Sequence, residues 1–107
     1  MVKIFPEYNK VKITVIKRLY HKKIVNKYTN YPDWKRCNLF KEGQEFIVSE
    51  ITPWIMPDGF CGWAWADIQK IVWSIARGGP DKYVTSCTDG YRPVLFLLEK
   101  IKSKTEK

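Results

Sequence analysis

The chain has 107 residues, of which 45% are hydrophobic and 15% aromatic, and it carries a net charge of +8. This composition excludes a disordered chain, and the length suits one domain with one core. No apolar run reaches membrane-spanning length and residues 1–10 contain no apolar leader region, so we predict a cytoplasmic protein without membrane contact. The charge is uneven, because residues 1–41 hold eleven Lys and Arg against two acids.

The first half of the chain contains two predicted strands and a short helix. Apolar and polar residues alternate over Lys10–Arg18, which predicts a strand with one solvated face. Residues 19–28 suit a short amphipathic helix with Leu19, Ile24 and Tyr28 facing the core. A Lys-Glu-Gly turn then leads into a second predicted strand over residues 44–50.

The strongest pattern in the chain is a helix that begins near Cys61. The apolar residues that recur there at steps of three and four are Trp65, Ile68, Val72 and Ile75. This spacing places them on one face of a helix, and Gly78 suits the conformation that ends many helices. At the helix start, unpaired N–H groups would favour the thiolate form of Cys61. The alternative is that Cys61 is a small buried apolar residue.

Two more strands are predicted near the end of the chain. Residues 83–87 suit a short strand and residues 88–91 a tight turn, in which Gly90 can take a positive φ. Residues 94–98 are uninterrupted apolar, which is typical of a strand covered on both faces. Residues 100–107 form a basic tail.

Four strands and one dominant helix predict an α+β fold. We expect a small, mostly antiparallel sheet packed by the helix, in one domain over residues 1–107 with an ordered core over about residues 10–102. A small β-barrel with one helix is the alternative. The order of the strands cannot be derived from these patterns.

Three cysteine-bearing segments follow a longer pattern. Cys37 precedes the Lys-Glu-Gly turn, residues 59–68 read Gly-Phe-Cys-Gly-Trp-Ala-Trp-Ala-Asp-Ile, and residues 87–94 read Cys-Thr-Asp-Gly-Tyr-Arg-Pro-Val. The pattern resembles that of a family of small, functionally uncharacterised prokaryotic proteins. Asn38 departs from it, because the family pattern has proline after the first cysteine. The resemblance implies no established activity, so the residues themselves must indicate the chemistry.

The three cysteines predict a metal or cluster site if they converge. Cys37 lies in a loop, Cys61 at a helix start and Cys87 at a strand end, and functional sites often form at the ends of elements. Three thiolates can hold zinc with a fourth ligand from Asp89, His21 or water. They can also hold an iron–sulfur cluster with one iron open to substrate. No Cys-x-x-Cys pair supports either version.

A second version of the cysteine site needs no metal. Cys61 would act as a nucleophile or redox thiol, Arg92 would bind a small anionic ligand, and Asp89 would orient it or act as a base. The alternative is structural: Asp89 caps backbone N–H groups in a turn, and Arg92 forms a salt bridge to Asp89 or Asp67.

The basic first third of the chain indicates a different class of function. Aromatic residues interleave there with Lys and Arg, at Tyr8, Tyr20, Tyr28, Tyr31 and Trp34. Such a mixture suits single-stranded nucleic acid, although no recognised motif accompanies it. The alternative is a basic face that serves solubility.

The tryptophans allow a third function. Trp63, Trp65 and Trp73 cannot all face one side of the predicted helix, and Trp65 fits the core stripe. Trp63 and Trp73 would then line a pocket or a subunit interface together with Trp54. A subunit interface would make the protein a homo-oligomer. Filling of the core is the alternative for each of them.

Overall fold

The computed structural model describes residues 8–31 and 33–101. The elements are β1 (Lys10–Arg18), α1 (Lys22–Tyr28), β2 (Glu45–Val48), α2 (Gly62–Ala76), β3 (Lys82–Ser86) and β4 (Val94–Ile101). The first two residues of the predicted basic tail, Lys100 and Ile101, belong to β4. The rest of the tail, from residue 102 onward, lies outside the described residues.

The four strands form an open antiparallel sheet in the order β2-β1-β4-β3. Ile13 of β1 pairs with Phe46 on one side and Leu98 on the other, and a bulge separates Val15 from Lys17. Because β2 and β3 each pair on one side only within the described part of the chain, the sheet is open and not a closed barrel. The predicted α+β fold, with one main helix on an antiparallel sheet, is confirmed.

One face of the sheet carries the core. Alternate residues of the strands are buried on this face and α2 packs over them. At the centre lie four phenylalanine rings, five pairs of which have centroids 5.0–5.9 Å apart: Phe40, Phe46, Phe60 and Phe96. Burial of such large apolar rings is the main favourable term in folding.

The other face of the sheet carries a ladder of charges. Lys12 lies 3.6 Å from Glu45 and 3.8 Å from Glu99, and Lys82 lies 3.8 Å from Glu99. No described helix or strand packs over this face. The prediction that the last strand is covered on both faces was therefore wrong, and Leu95 and Leu97 are only half-buried.

Helix α2 follows its predicted pattern closely. Cys61 is the N-cap and Arg77 the C-cap, and Gly78 has φ 97°, as expected of a residue that ends a helix. Gly90 does not adopt the positive φ that the sequence allows it. The turn before β4 is held instead by hydrogen bonds to a side chain, described below.

Helix α1 begins later and faces differently than predicted. Leu19 donates its N–H to the Pro93 carbonyl at 2.8 Å and His21 donates to the Tyr91 carbonyl at 2.9 Å, which extends the pairing of β1 and delays the helix. Its one buried residue is Val25, whereas Ile24 and Tyr28 are exposed.

The described residues contain no helix with the length and apolar character that a membrane crossing requires. The longest helix, α2, has 15 residues and an exposed polar face.

Candidate functional site

The predicted site residues gather toward one end of the sheet. Arg18 ends β1 and pairs with Val94 at the start of β4; we call this place the Arg18 end. At the opposite end, Asn9 donates its N–H to the carbonyl of Ala76, the last residue of α2, at 2.8 Å. Helix α2 therefore runs antiparallel to β1, and its N-cap Cys61 lies toward the Arg18 end.

All three cysteines lie toward this end, as free thiols that are half-buried and packed against the core. The Cys87 N–H donates to the Val94 carbonyl at 3.1 Å, and the Cys87 Sγ accepts the Val94 N–H at 3.4 Å. The Cys37 carbonyl accepts a hydrogen bond from Arg18 Nη1 at 3.0 Å. Small residues of a hydrophobic core make contacts of this kind. The sequence analysis gave such a core role as the alternative for Cys61.

The structure does not assemble the predicted metal ligands. Among the described residues, no three His, Cys, Asp or Glu side chains are grouped so that they could hold a metal ion. Cys37, Cys61 and Cys87 come from three different segments, and each packs against the core. The predicted zinc or iron–sulfur site, with Asp89 or His21 as a further ligand, therefore has no support from this arrangement.

Asp89 and Arg92 bind each other within the turn before β4. Asp89 Oδ1 accepts the N–H groups of Tyr91 at 2.8 Å and Arg92 at 3.0 Å, and Oδ2 accepts Arg92 Nε at 3.2 Å. Burial alone would raise the pKa of Asp89, but these hydrogen bonds and the Arg92 charge together hold the pKa below its ordinary value. Turn capping and an internal salt bridge, the structural alternative, are what the contacts show.

Arg92 also stacks on an aromatic ring, a contact that the sequence did not suggest. Its guanidinium carbon lies 3.9 Å from the Trp34 ring centroid. Tyr31 stacks on Trp34 as well, with centroids 4.7 Å apart and planes 26° apart. We call these three planar groups the Tyr31–Trp34–Arg92 stack. Since Asp89 binds the Arg92 Nε, the guanidinium is held in place and is not a freely mobile anion clamp.

Exposed basic residues flank Tyr31 and Trp34 of this stack in the sequence. They are Lys22, Lys23 and Lys27 on α1, and Lys35 and Arg36 in the loop that follows. Tyr28 is 65% exposed and Tyr31 52% exposed. We call these residues, with the stack, the basic aromatic surface. Within residues 19–37, excluding the undescribed Pro32, Asp33 is the only acid.

Arg18 positions this surface and was not singled out from the sequence. Besides its bond to Cys37, Arg18 accepts a hydrogen bond at its carbonyl from Arg36 Nε at 3.0 Å and donates its N–H to Glu42 at 2.9 Å. The loop is thereby tied to the end of β1. A basic residue at a strand end gives no sequence pattern that would reveal such a role.

His21 lies at the edge of the same surface. It is exposed and occupies the N-cap of α1 without a side-chain cap hydrogen bond, while its backbone N–H bonds to Tyr91. The chain therefore brings His21 close to the Asp89–Arg92 turn, although Asp89 lies 68 positions later in the sequence.

The tryptophans of α2 have three different environments. Trp65 is 8% exposed in the core and Trp63 is 79% exposed on the solvent face. Trp73 contacts Trp54 and Tyr8, with ring centroids 6.1 and 5.2 Å away. Trp73 and Trp54 therefore lie together, whereas Trp63 takes no part in that cluster. The predicted pocket or subunit interface stays a prediction.

No family model matches the sequence, and neither a curated protein nor a solved structure is significantly similar to it. The resemblance to a family of small prokaryotic proteins therefore stays a prediction, and the function must be argued from the geometry.

Proposed function

We propose that this protein binds single-stranded nucleic acid through the basic aromatic surface. The observation that carries the proposal is the Tyr31–Trp34–Arg92 stack, in which Tyr31 is half-exposed. Exposed Lys and Arg residues lie on both sides of Tyr31 in the sequence. Proteins that bind single strands combine cations along the phosphate backbone with aromatic rings on which bases stack.

The charges of this surface suit a polyanion. Five exposed Lys and Arg flank Tyr31 and Trp34 in the sequence. Three of them lie on α1, which buries only Val25, and two lie in the loop that follows. Lys27 also lies over the Tyr28 ring, 5.3 Å from its centroid. Cations next to exposed rings can contact the phosphates on either side of a stacked base.

The preorganisation of the stack favours binding further. Asp89 holds Arg92 by its Nε, and Arg92 in turn supports one side of Trp34. A ring that is already fixed loses little conformational freedom when a base stacks on it. Asp89 and Arg92 therefore serve the proposed surface as positioning residues.

Two features favour a single strand over a duplex. Helix α1 has seven residues and is about 10 Å long, which is short for a helix that reads a major groove. Exposed rings stack on unpaired bases, whereas the bases of a duplex already stack on one another.

The first experiment measures binding of a fluorescein-labelled oligothymidine of about 12 nucleotides by anisotropy, from about 50 to 300 mM salt. We expect affinity to fall steeply with salt and a duplex of equal length to bind more weakly. Tyr31→Ala should weaken binding about fivefold or more without changing the salt dependence, because one base–aromatic stack contributes about 1–3 kcal/mol.

Matched variants separate charge from stacking. Lys23→Ala and Lys35→Ala should each lower the steepness of the logarithmic salt plot by about 0.7. Lys70→Ala and Trp63→Ala, at exposed positions on the solvent face of α2, should change neither affinity nor slope. Absence of binding at about 50 mM salt, or an equal loss in Trp63→Ala and Tyr31→Ala, would contradict the proposal.

We further propose the cytoplasm as the location, because the three free cysteines suit a reducing compartment.

A further inference from the structure

Among residues 8–31 and 33–101, no strand pairs with the outer edge of β2. Strand β2 pairs with β1 on one side and is the first strand in the order β2-β1-β4-β3. Val15 donates its N–H to the Gln44 carbonyl at 2.9 Å. Since hydrogen-bonded pairs alternate along antiparallel strands, the backbone of Phe46 points to β1 and that of Glu45 and Ile47 points to the open edge.

A depression of about 460 Å³ lies along this edge. Its apolar lining includes Phe46 and Ile47 of the strand and Ile55 and Met56 of the loop that follows; we call it the β2 groove. The loop adds further exposed apolar side chains, at Ile51 and Trp54. The remaining lining is mostly polar, including Ser49 and Thr52. Open backbone groups next to a depression with apolar side chains in its lining are features with which proteins bind an extended peptide as an added strand.

The charged residues that line the groove indicate which kind of partner it binds. Within the described part of the chain, the charged residues that line the groove are Glu45 and Asp58, and no Lys or Arg lines it. Lys12 already pairs with Glu45 at 3.6 Å, whereas Asp58 is an exposed carboxylate at the groove. The chain as a whole carries a net charge of +8, so the acidic groove differs in sign from the molecule's overall charge. An acidic groove favours a basic partner over an acidic one.

We propose that the β2 groove binds an extended basic peptide segment of a partner protein, which adds to the sheet as a fifth strand beside β2. The outward N–H and C=O groups of Glu45 and Ile47 pair with the peptide backbone. An apolar side chain of the peptide contacts Ile55 and Met56, and flanking Lys or Arg side chains face Asp58. The four residues of β2 span about 13 Å, enough for a segment of about four to six residues.

The probe is an acetylated, amidated hexapeptide, Lys-Val-Lys-Ile-Lys-Val, with a second peptide in which Glu replaces each Lys. Titration into isotopically labelled protein, followed by amide NMR shifts, should show binding of the basic peptide with the largest shifts in β2 and residues 51–58. The acidic peptide should bind at least about tenfold more weakly, as expected for an acidic groove.

Two proline variants form a matched pair. Ile47→Pro removes an N–H that faces the open edge, and proline is tolerated at such edge positions. On the opposite edge, the bond from the Cys87 N–H to Val94 makes the Val84 N–H face outward, so Val84→Pro is the equivalent change there. Ile47→Pro should weaken peptide binding about tenfold or more, and Val84→Pro should leave it unchanged.

Asp58→Lys, an exposed substitution, tests the charge independently: it should reverse the preference between the two peptides. The proposal is overturned if neither peptide binds at millimolar concentration, if Val84→Pro abolishes binding, or if Ile47→Pro and Asp58→Lys leave it intact. It is also overturned if sedimentation shows a dimer that Ile47→Pro dissociates, because the occupant would then be a second copy of this chain.

Discussion

The Asp89 carboxylate connects the turn before β4 to the aromatic stack. Its two oxygens accept three hydrogen bonds, two from backbone N–H groups and one from the Arg92 side chain. Because Arg92 then stacks on Trp34, the conformation of a turn residue affects a ring more than 50 residues earlier in the sequence. Removing the carboxylate should therefore loosen both features together.

Asp89→Ala should destabilise the fold by about 1–3 kcal/mol, since it leaves backbone donors and a guanidinium without their acceptor. Asp89→Asn retains an acceptor oxygen for the turn and loses the charge. Folding lowers the pKa of Asp89, so the carboxylate stabilises the protein above the unfolded-chain pKa of about 3.9, and this contribution is lost as the pH falls through the folded value.

Urea unfolding of wild type and Asp89→Asn from neutral pH to about pH 3 measures this effect. The difference in unfolding free energy between the two should be largest at neutral pH and should shrink as the pH falls below about 4. Asp58→Asn removes one exposed carboxylate elsewhere and is the matched control. If the difference in unfolding free energy between wild type and Asp58→Asn decreases equally, the effect comes from net charge and not from the turn.

At the scale of elements, α2 shows how position on a helix decides the role of one residue type. Trp65 packs 6.2 Å from the Phe60 ring in the core, while Trp63, two residues earlier, projects to solvent. A step of two residues rotates a side chain by about 200° around a helix. The two tryptophans therefore give a matched pair for measuring what burial contributes.

Trp65→Ala should lower the free energy of unfolding by about 3–5 kcal/mol, because it removes a large buried ring and leaves a cavity. Trp63→Ala should change it by less than about 0.5 kcal/mol. Chemical denaturation of both variants checks the pair. Similar losses in the two variants would mean that Trp63 is buried in solution, as it would be in the oligomer that the sequence allows.

At the scale of the whole molecule, the protein presents surfaces of different character on one small core. The basic aromatic surface lies toward the Arg18 end of the sheet, and the acidic β2 groove lies along one edge. The fold that supports both depends on apolar burial, since the three cysteines are free and the described residues contain no group of metal-ligating side chains.

Removal of metal and reduction should consequently leave stability unchanged. We expect the melting temperature to be the same, to within about 1 °C, with EDTA, with calcium-loaded EDTA as the control, and with a thiol reductant. A loss of 1 kcal/mol would shift it by about 4–8 °C in a domain near this size. A fall with EDTA alone would restore the hypothesis that Cys37, Cys61 and Cys87 hold a metal ion.

Local patterns in the sequence determined β1 and α2. The alternation over Lys10–Arg18 and the three-and-four spacing that includes Trp65 record which side of each element is buried, and Gly78 marks the end of the helix. These features depend on neighbours within about one or two turns of chain, so the sequence displays them directly.

Only the tertiary structure decided the strand order, the outward face of α1 and the partner of Arg92. Tyr28 is exposed because the chain continues pairing with Pro93 and Tyr91 before the helix begins. Arg92 meets Trp34 across 58 positions of sequence. Such contacts arise from the packing of distant segments, and no periodicity within either segment specifies them.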